Sequence, residues 1–444
     1  MPFQIMTNQY SSNKIHKPAN RWISYGIWLM IILIYIPVPA IPRLPIVLLL
    51  FILSLFTMNN ETRGFAIMSF APPVLGALFY IFRIPVTAYF ICLCLGLFFL
   101  RKKIKTYLSD SNVIFIFILL ITYFFIAYLY GPQHAYSNTK LIYIIVLGFC
   151  SIIYWKSYFE SGTFQPLKVA QFLCLVSLLY AYIAFDFYGF PGPTNLLDFN
   201  FFRSSFAEIK TETDMVLTYH SVGVPAMMGL ALIFSAYKFQ DLKKSKVLIA
   251  ILPLVILLLI AQARQAIVGT FIILFIRLII DNEFSFNKKI WLSIILTLAS
   301  IYFITHIKSD AIESAMNASS ISQSLNRDYD EAFQIMESDF IFGIGLGGFS
   351  TNGVRAYPHN LFLELLCELG FVGTIFIALL VFVPILTKPK CLQYITKSNF
   401  FAIPLISAIF IRSMMSSDLI ESITFITAVI VLANTKTNKI CQQI

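Results

Sequence analysis

Several residues in this sequence stand where a charge or a proton acceptor needs an explanation. Arg264 lies in AQARQAIVGTF, between two apolar runs with almost no loop separating them. A charge at that depth is costly and needs an anionic partner or a water-filled cavity. The competing reading is an interfacial arginine whose head snorkels to lipid headgroups. Arg203, in FNFFRSSF, sits in a polar stretch among aromatics, where an ordinary loop arginine competes with a binding role. His359 ends a glycine-rich segment and opens the apolar run in YPHNLFLELLCELGFVG. Pro358 holds Tyr357 in extended geometry, which places His359 near a helix start. A histidine there is a proton acceptor near neutral pH, and the positive end of the helix dipole favours its neutral form. A capping or interfacial role is the alternative. His16 and His134 lack this setting, and no glycine-rich turn leads into His220 or His306. Glu364 and Glu368 are four residues apart and share one face of the run that His359 opens. Inside an apolar helix both must face protein, so they are expected to pair with outer arginines and shape a cavity. A proton pathway is the other use for such acids.

The elements that hold these residues follow from composition. The chain has 444 residues, 58% hydrophobic and only 12% charged. A water-soluble core of this size could not hide so much apolar surface. The apolar residues come in runs without strand-like alternation, so helices are expected and a barrel is not. Apolar runs fall near 23–40, 44–57, 64–82, 84–100, 113–130, 141–155, 169–189, 217–237, 247–262, 265–280, 290–307, 360–387, 398–415 and 418–435. The expected fold is an all-α, polytopic transmembrane helical bundle of about 12–14 spans, each long enough for a bilayer core. Residues 1–189 would form N-terminal transmembrane helices, 190–216 a smaller periplasmic loop, 217–307 further helices, 308–359 a large periplasmic loop and 360–444 the C-terminal helices. The first run, preceded by Lys14, Lys17 and Arg21 and followed at once by others, reads as a retained span and not a cleaved signal. The seven cysteines show neither a disulfide framework nor metal spacing.

Charge sets the orientation. With the N-terminus inside and the runs alternating, most lysines and arginines fall in inner segments, as the positive-inside rule asks. The net charge of +10 is thereby a topology signal and needs no nucleic acid to explain it. Seven of the ten cations left on the outer side are arginine: Arg43, Arg83, Arg203, Arg264, Arg327, Arg355 and Arg412. Lysine satisfies the topology rule equally well, so the bias points to recognition of phosphate or carboxylate by guanidinium forks.

Four features in order carry a family resemblance. RDYDEAFQIMESDFIFGIGLGGF contains Arg327 and the Gly343, Gly345, Gly347 turn, and after a short gap PHNLFLELLCELGFVG supplies His359 and Asn360. Upstream, ARQAIVGT supplies Arg264, and Arg203 stands in the preceding outer loop. Together these resemble the O-antigen polymerase and ligase superfamily of bacterial envelope enzymes. The resemblance is detailed over roughly residues 200–375 and elsewhere extends only to hydropathy. One departure is Asp339, where many members carry proline.

The resemblance implies a glycosyltransferase in the bacterial inner membrane with its active site on the periplasmic side. The donor would be an undecaprenyl-diphosphate-linked glycan. Arg203, Arg264 and Arg327 would hold its diphosphate, and His359 would deprotonate or orient the acceptor hydroxyl. Asn360, Glu364, Glu368, Gly343 and Gly345 would support the site. No metal or other cofactor is implied. Asp328 and Asp330 could hold a divalent cation beside a diphosphate, although a solvated acidic helix start beside the competing Arg327 explains them as well. The expected function is an O-antigen-type polymerase whose acceptor is another lipid-linked repeat unit. The alternative is a ligase whose acceptor is the lipid A core. A flippase or transporter is the reading from a different class. Membrane lipids are expected partners, a chain-length regulator is a further candidate, and no nucleic acid is expected.

Overall fold

The structure is a computed structural model that describes residues 19–34, 43–81, 88–161, 164–188, 219–239, 244–261, 263–280, 286–306, 329–352, 357–387, 402–415 and 418–434. These residues form helices, with no strand among them. In chain order they are α1 (Ala19–Ile34), α2 (Arg43–Thr57), α3 (Asn60–Ile81), α4 (Ala88–Leu108), α5 (Ser111–Tyr130), α6 (Ala135–Glu160) and α7 (Pro166–Tyr188). Then come α8 (Tyr219–Phe239), α9 (Lys244–Ala261), α10 (Arg264–Ile280), α11 (Phe286–His306), α12 (described over 329–338) and α13 (Phe349–Asn352). The last described helices are α14 (Leu361–Thr387), α15 (Ala402–Met415) and α16 (Leu419–Asn434).

Each of the fourteen apolar runs overlaps one of these helices, and the parts at 35–40, 84–87 and 398–401 lie outside the described residues. Among the described residues α5, α6 and parts of α7 and α14 are long and apolar enough to cross a bilayer, and further apolar segments are shorter. The helices are inverted relative to a soluble protein. α5 buries Val113, Phe117, Leu120, Phe124 and Ala127 along one stripe, while its Phe115, Ile118 and Leu129 point outward, more than half exposed. Large apolar side chains facing outward all along a helix identify lipid as the surrounding solvent. The chain is a multi-pass helical membrane protein.

α6 and α7 are largely buried. α6 packs on α3, α4, α5 and α16, and α7 packs on α2, α8 and α9. α8 runs beside α10 in the same direction, with Gly223 against Ala263 and Ala266 and Gly269 against Met227. α6 extends beyond its apolar run at both ends because its polar residues find partners inside the protein. Near its far end Lys156 is buried against Asp110 at 2.8 Å.

One helix is broken. α14 contains Gly370 at φ +65°, which interrupts its hydrogen-bond ladder. In a continuous helix the amides of Phe371 and Val372 would bond the carbonyls of Cys367 and Glu368. Here they donate to Phe340 O at 2.8 Å and Ile341 O at 3.1 Å, in the glycine-rich segment. The carbonyls of Cys367 and Glu368 accept from Ile344 and Gly345, each at 2.9 Å. The segment thus replaces two missing rungs of the helix, and Leu346 N–H ties it to Ala127 O at the end of α5 at 3.0 Å. Gly343 and Gly345 have positive φ, and a side chain on either would land on backbone, of Glu368 and Gly370 in one case and of Gly131 in the other.

Gly345→Ala is accordingly expected to be destabilising. The left-handed backbone alone costs a non-glycine residue about 1–2 kcal/mol, and the collision with Gly131 adds to it. The melting temperature in detergent should fall by about 2–4 °C or more. Gly26→Ala, where nothing lies within 4 Å of the added methyl, should leave it unchanged.

Candidate active site

The glycine-rich segment, the turn from α5 to α6, the start of α14 and the turn from α15 to α16 converge at one end of the bundle. α14 begins at Leu361 with Asn360 as its cap. Asn360 Oδ1 accepts from the amides of Phe362 at 3.0 Å and Leu363 at 3.2 Å, and its Nδ2 donates to Met414 O at 3.1 Å. This is the arrangement expected of an asparagine at a helix start. It also fastens that start to the last turn of α15.

His359 stands one residue before the cap. Its φ is +54°, and no other non-glycine residue among the described ones has positive φ. Histidine tolerates this region better than most side chains. The conformation still carries strain, of the kind that collects at functional sites. The His359 ring stands edge-on to Tyr357, with centroids 4.5 Å apart.

Glu364 and Glu368 share a face of α14 and are fully buried. Their partner differs from the expected outer arginine. It is Lys140 of α6, also fully buried, whose Nζ lies 2.8 Å from both oxygens of Glu368 and also donates to Glu364 Oε1. The Tyr136 ring lies 5.6 Å from the ammonium. Two carboxylates therefore enclose one lysine, and Glu364 Oε2 is buried without a hydrogen-bond partner. The cluster clamps α6 to the turns of α14 just before the break, and Glu368 is the residue whose carbonyl receives Gly345.

His134, set aside in the sequence because it lacks the setting of His359, lies beside the glycine-rich turn in space. It starts α6, with Nδ1 2.8 Å from Ser137 Oγ and Nε2 2.6 Å from Ser350 Oγ in α13. Above α14 packs α12, through Ala332, Ile335, Phe349, Leu363 and Cys367, with Cys367 Sγ donating to Ala332 O at 3.4 Å.

A cavity of about 310 Å³ opens beside Tyr357, between α3, α4, α6, α8, α15 and α16. Arg412 Nη2 lies 2.7 Å from Glu421 Oε2 at its lining. Asp418 caps α16, accepting from Glu421 N–H at 3.0 Å. Burial, and then the adjacent Glu421 carboxylate, push the Asp418 carboxyl up to about 6, against weaker opposing effects of the Glu421 amide, Lys140 and Arg412. Burial also raises the Tyr357 phenol above its ordinary value, so Tyr357 remains a donor at neutral pH.

The structure thus brings together His359, Asn360, Glu364, Glu368, Gly343 and Gly345. Arg264 opens α10, and its side chain lies outside the described residues, as do Arg203, Arg327 and Asp328. Asp330 lies in α12. Sequence reading missed Lys140 as the partner of the two glutamates, and missed His134, Tyr357, Asp418 and Glu421. Arg412 entered only as one of the outer arginines. The available signal for Lys140 was a lysine beside an apolar run that also had to account for two helical acids.

This is the architecture of a helical membrane protein with a site at one end built from a broken helix, a glycine-rich splice and a strained histidine. Residues 248–378 match the family model described as O-antigen ligase, and this match supports the O-antigen polymerase and ligase superfamily. The match spans Arg264, the glycine-rich segment, His359 and Asn360 and both glutamates, whereas Lys140, His134, Arg412 and Asp418 lie outside it. It supports an enzymatic role of polymerase or ligase type in O-antigen assembly. No curated protein and no solved structure gives a significant match.

Two outcomes follow from this geometry. Lys140→Met leaves two buried carboxylates facing each other and should lower stability by about 3–5 kcal/mol, read as thermal unfolding in detergent. Adding Glu364→Gln and Glu368→Leu should recover most of the loss. The second concerns Asp418, which faces Glu421, Lys140 and Arg412. Between about 6 and the ordinary value of 3.8 the folded protein keeps a proton that the unfolded chain has released. Stability contributed by this group therefore falls as pH rises through that window and levels off above it. Asp418→Asn should melt higher than wild type at pH 7, with the difference shrinking toward pH 4.

Proposed function

We propose that the protein is an O-antigen-type polysaccharide polymerase. It would join undecaprenyl-diphosphate-linked repeat units at the periplasmic face of the inner membrane by metal-independent, inverting glycosyl transfer. The observation that carries the reading is His359, held in a left-handed conformation one residue before the capped start of α14. It lies in the same matched stretch as Arg264.

In this reading the acceptor hydroxyl attacks the anomeric carbon of the donor. The bond from that carbon to the diphosphate oxygen breaks as the new glycosidic bond forms, and a single displacement inverts the centre. The hydroxyl proton passes to His359. The leaving undecaprenyl diphosphate gathers negative charge, which Arg203, Arg264 and Arg327 would stabilise. Asn360 and the clamp of Lys140 with Glu364 and Glu368 hold the helix start still while this happens. The description of the matching family favours a second reading, a ligase that hands the glycan to the lipid A core. The two differ in acceptor and share the donor chemistry.

The test uses purified full-length protein with lipid-linked repeat units. Long glycan formed without lipid A core, and in the presence of EDTA, is the polymerase outcome. Product only when core is added is the ligase outcome, and no product with either acceptor would sink both. His359→Ala should lower turnover by roughly 10²–10⁴-fold while donor binding persists, and His359→Gln should not rescue it. Arg264→Lys keeps charge without the bidentate fork, so it should be nearly as inactive as Arg264→Ala. Single cysteines at Ser205 and Ser320, in a cysteine-free background, should react with an impermeant maleimide in intact spheroplasts. Labelling only after lysis would overturn the periplasmic placement.

A further inference from the structure

The cavity beside Tyr357 has no role in the chemistry derived so far, and its charges say what it is built to take. Its lining combines Tyr143, Tyr357, Thr424, Arg412, Asp418 and Glu421 with apolar wall from α3, α6 and α16. The side chains of Arg412 and Glu421 are 32% and 41% exposed, so neither is sealed in the interior. Among the described lining residues one guanidinium faces two carboxylates, and it is already bonded to one of them. A diphosphate would meet net negative charge here and is disfavoured. A polyprenyl tail would strip water from three charged groups and return no hydrogen bond. A neutral polyol fits both constraints. Its hydroxyls donate to Asp418 and Glu421 and accept from Arg412 and Tyr357, while the C–H face of a pyranose lies on tyrosine rings and the apolar wall. At about 310 Å³ the space is at the small end of ligand pockets and suits one sugar residue. Tyr357 lies on the cavity wall and against the His359 ring, 4.5 Å between centroids. A sugar seated there is next to the proposed proton acceptor.

We propose that this cavity is the acceptor subsite, binding a neutral terminal sugar of the acceptor through Asp418, Glu421 and Arg412. Here these three are specificity-determining residues and not part of the diphosphate site. The inference rests on the glycosyl-transfer reading above.

The experiment uses full-length protein in nanodiscs. The probes are lipid-linked repeat units extracted from the producing strain, the repeat-unit oligosaccharide released from them by mild acid, and undecaprenyl diphosphate. Glu421→Gln and Asp418→Asn should each raise KM for the lipid-linked repeat unit about ten-fold or more, the scale of a lost hydrogen bond to a charged group. Turnover at saturation should be largely retained, and undecaprenyl diphosphate should bind as in wild type. Because Asp418 also caps α16, Tyr143→Trp provides a second route. It narrows the cavity without touching its charges and should raise KM in the same way. An unchanged KM in Glu421→Gln and Tyr143→Trp would overturn the proposal, and so would loss of undecaprenyl diphosphate binding in step with the rise in KM. If wild type forms no polymer, the polymerase reading fails on its own. Calorimetric binding of the released oligosaccharide, weakened by Glu421→Gln, then still upholds the subsite, and no binding to wild type refutes it.

Discussion

Hydrocarbon offers a peptide group no hydrogen-bond partner, and the break in α14 is tolerable only because another segment supplies every group that the break removes. Gly370 frees two amides and two carbonyls, and the strand of chain from Phe340 to Gly345 answers all four. That answer dictates the neighbouring sequence. Backbone must meet backbone, so side chains are excluded at Gly343 and Gly345, and Gly131 gives way on the other side. Once spliced, the segment has no freedom to slide. It fixes the end of α5 through Ala127 and the start of α6 through Ser350 and His134.

The same scarcity of partners governs the charges. An ammonium or carboxylate away from water is held only where opposite charge meets it with good geometry. Lys140 and Lys156 are both buried, and both end on carboxylates from other helices or loops. They fasten opposite ends of α6, the helix on which α3, α4, α5 and α16 all lean. The charges around the cavity are different in kind. Arg412 and Glu421 are partly exposed and paired across one turn between helices, whereas the Lys140 cluster is sealed inside the protein.

The helices were legible because a bilayer demands long apolar runs, and the sequence between Ser111 and Tyr130 has no other use. The extent of α6 was not legible. Its flanks, AYSNTK and KSYFE, read as polar loop until Lys140 and Lys156 are seen to have partners. Those partners lie far away in the sequence, and one sequence without relatives carries no signal for such a pairing. The break at Gly370 was hidden for a related reason. Glycine is common in membrane helices, and LGFVGT carries neither a charge nor a proline, so nothing local separates a tolerated glycine from one in the left-handed region. The junction at His359 and Asn360 was legible, because Pro358 and a capping asparagine are local signals. The unusual backbone of His359 was not, since it comes from how the loop must arrive at a helix whose start is already fixed.

That fixed start is what turns a histidine at a loop end into a candidate catalyst. Asn360 ties the first turn of α14 to α15, the two glutamates tie the second and third turns to α6, and the splice holds the turn after that. With the helix pinned on these sides, the residue just before it cannot relax its backbone by moving the helix. Strain at His359 is therefore held by the surroundings, where in a free loop it would dissipate. A proton acceptor gains most when its position is set before the substrate arrives, because the cost of ordering it has been met during folding. In the proposed reading, the contacts that serve stability in the lower turns of α14 would also orient its upper end for chemistry.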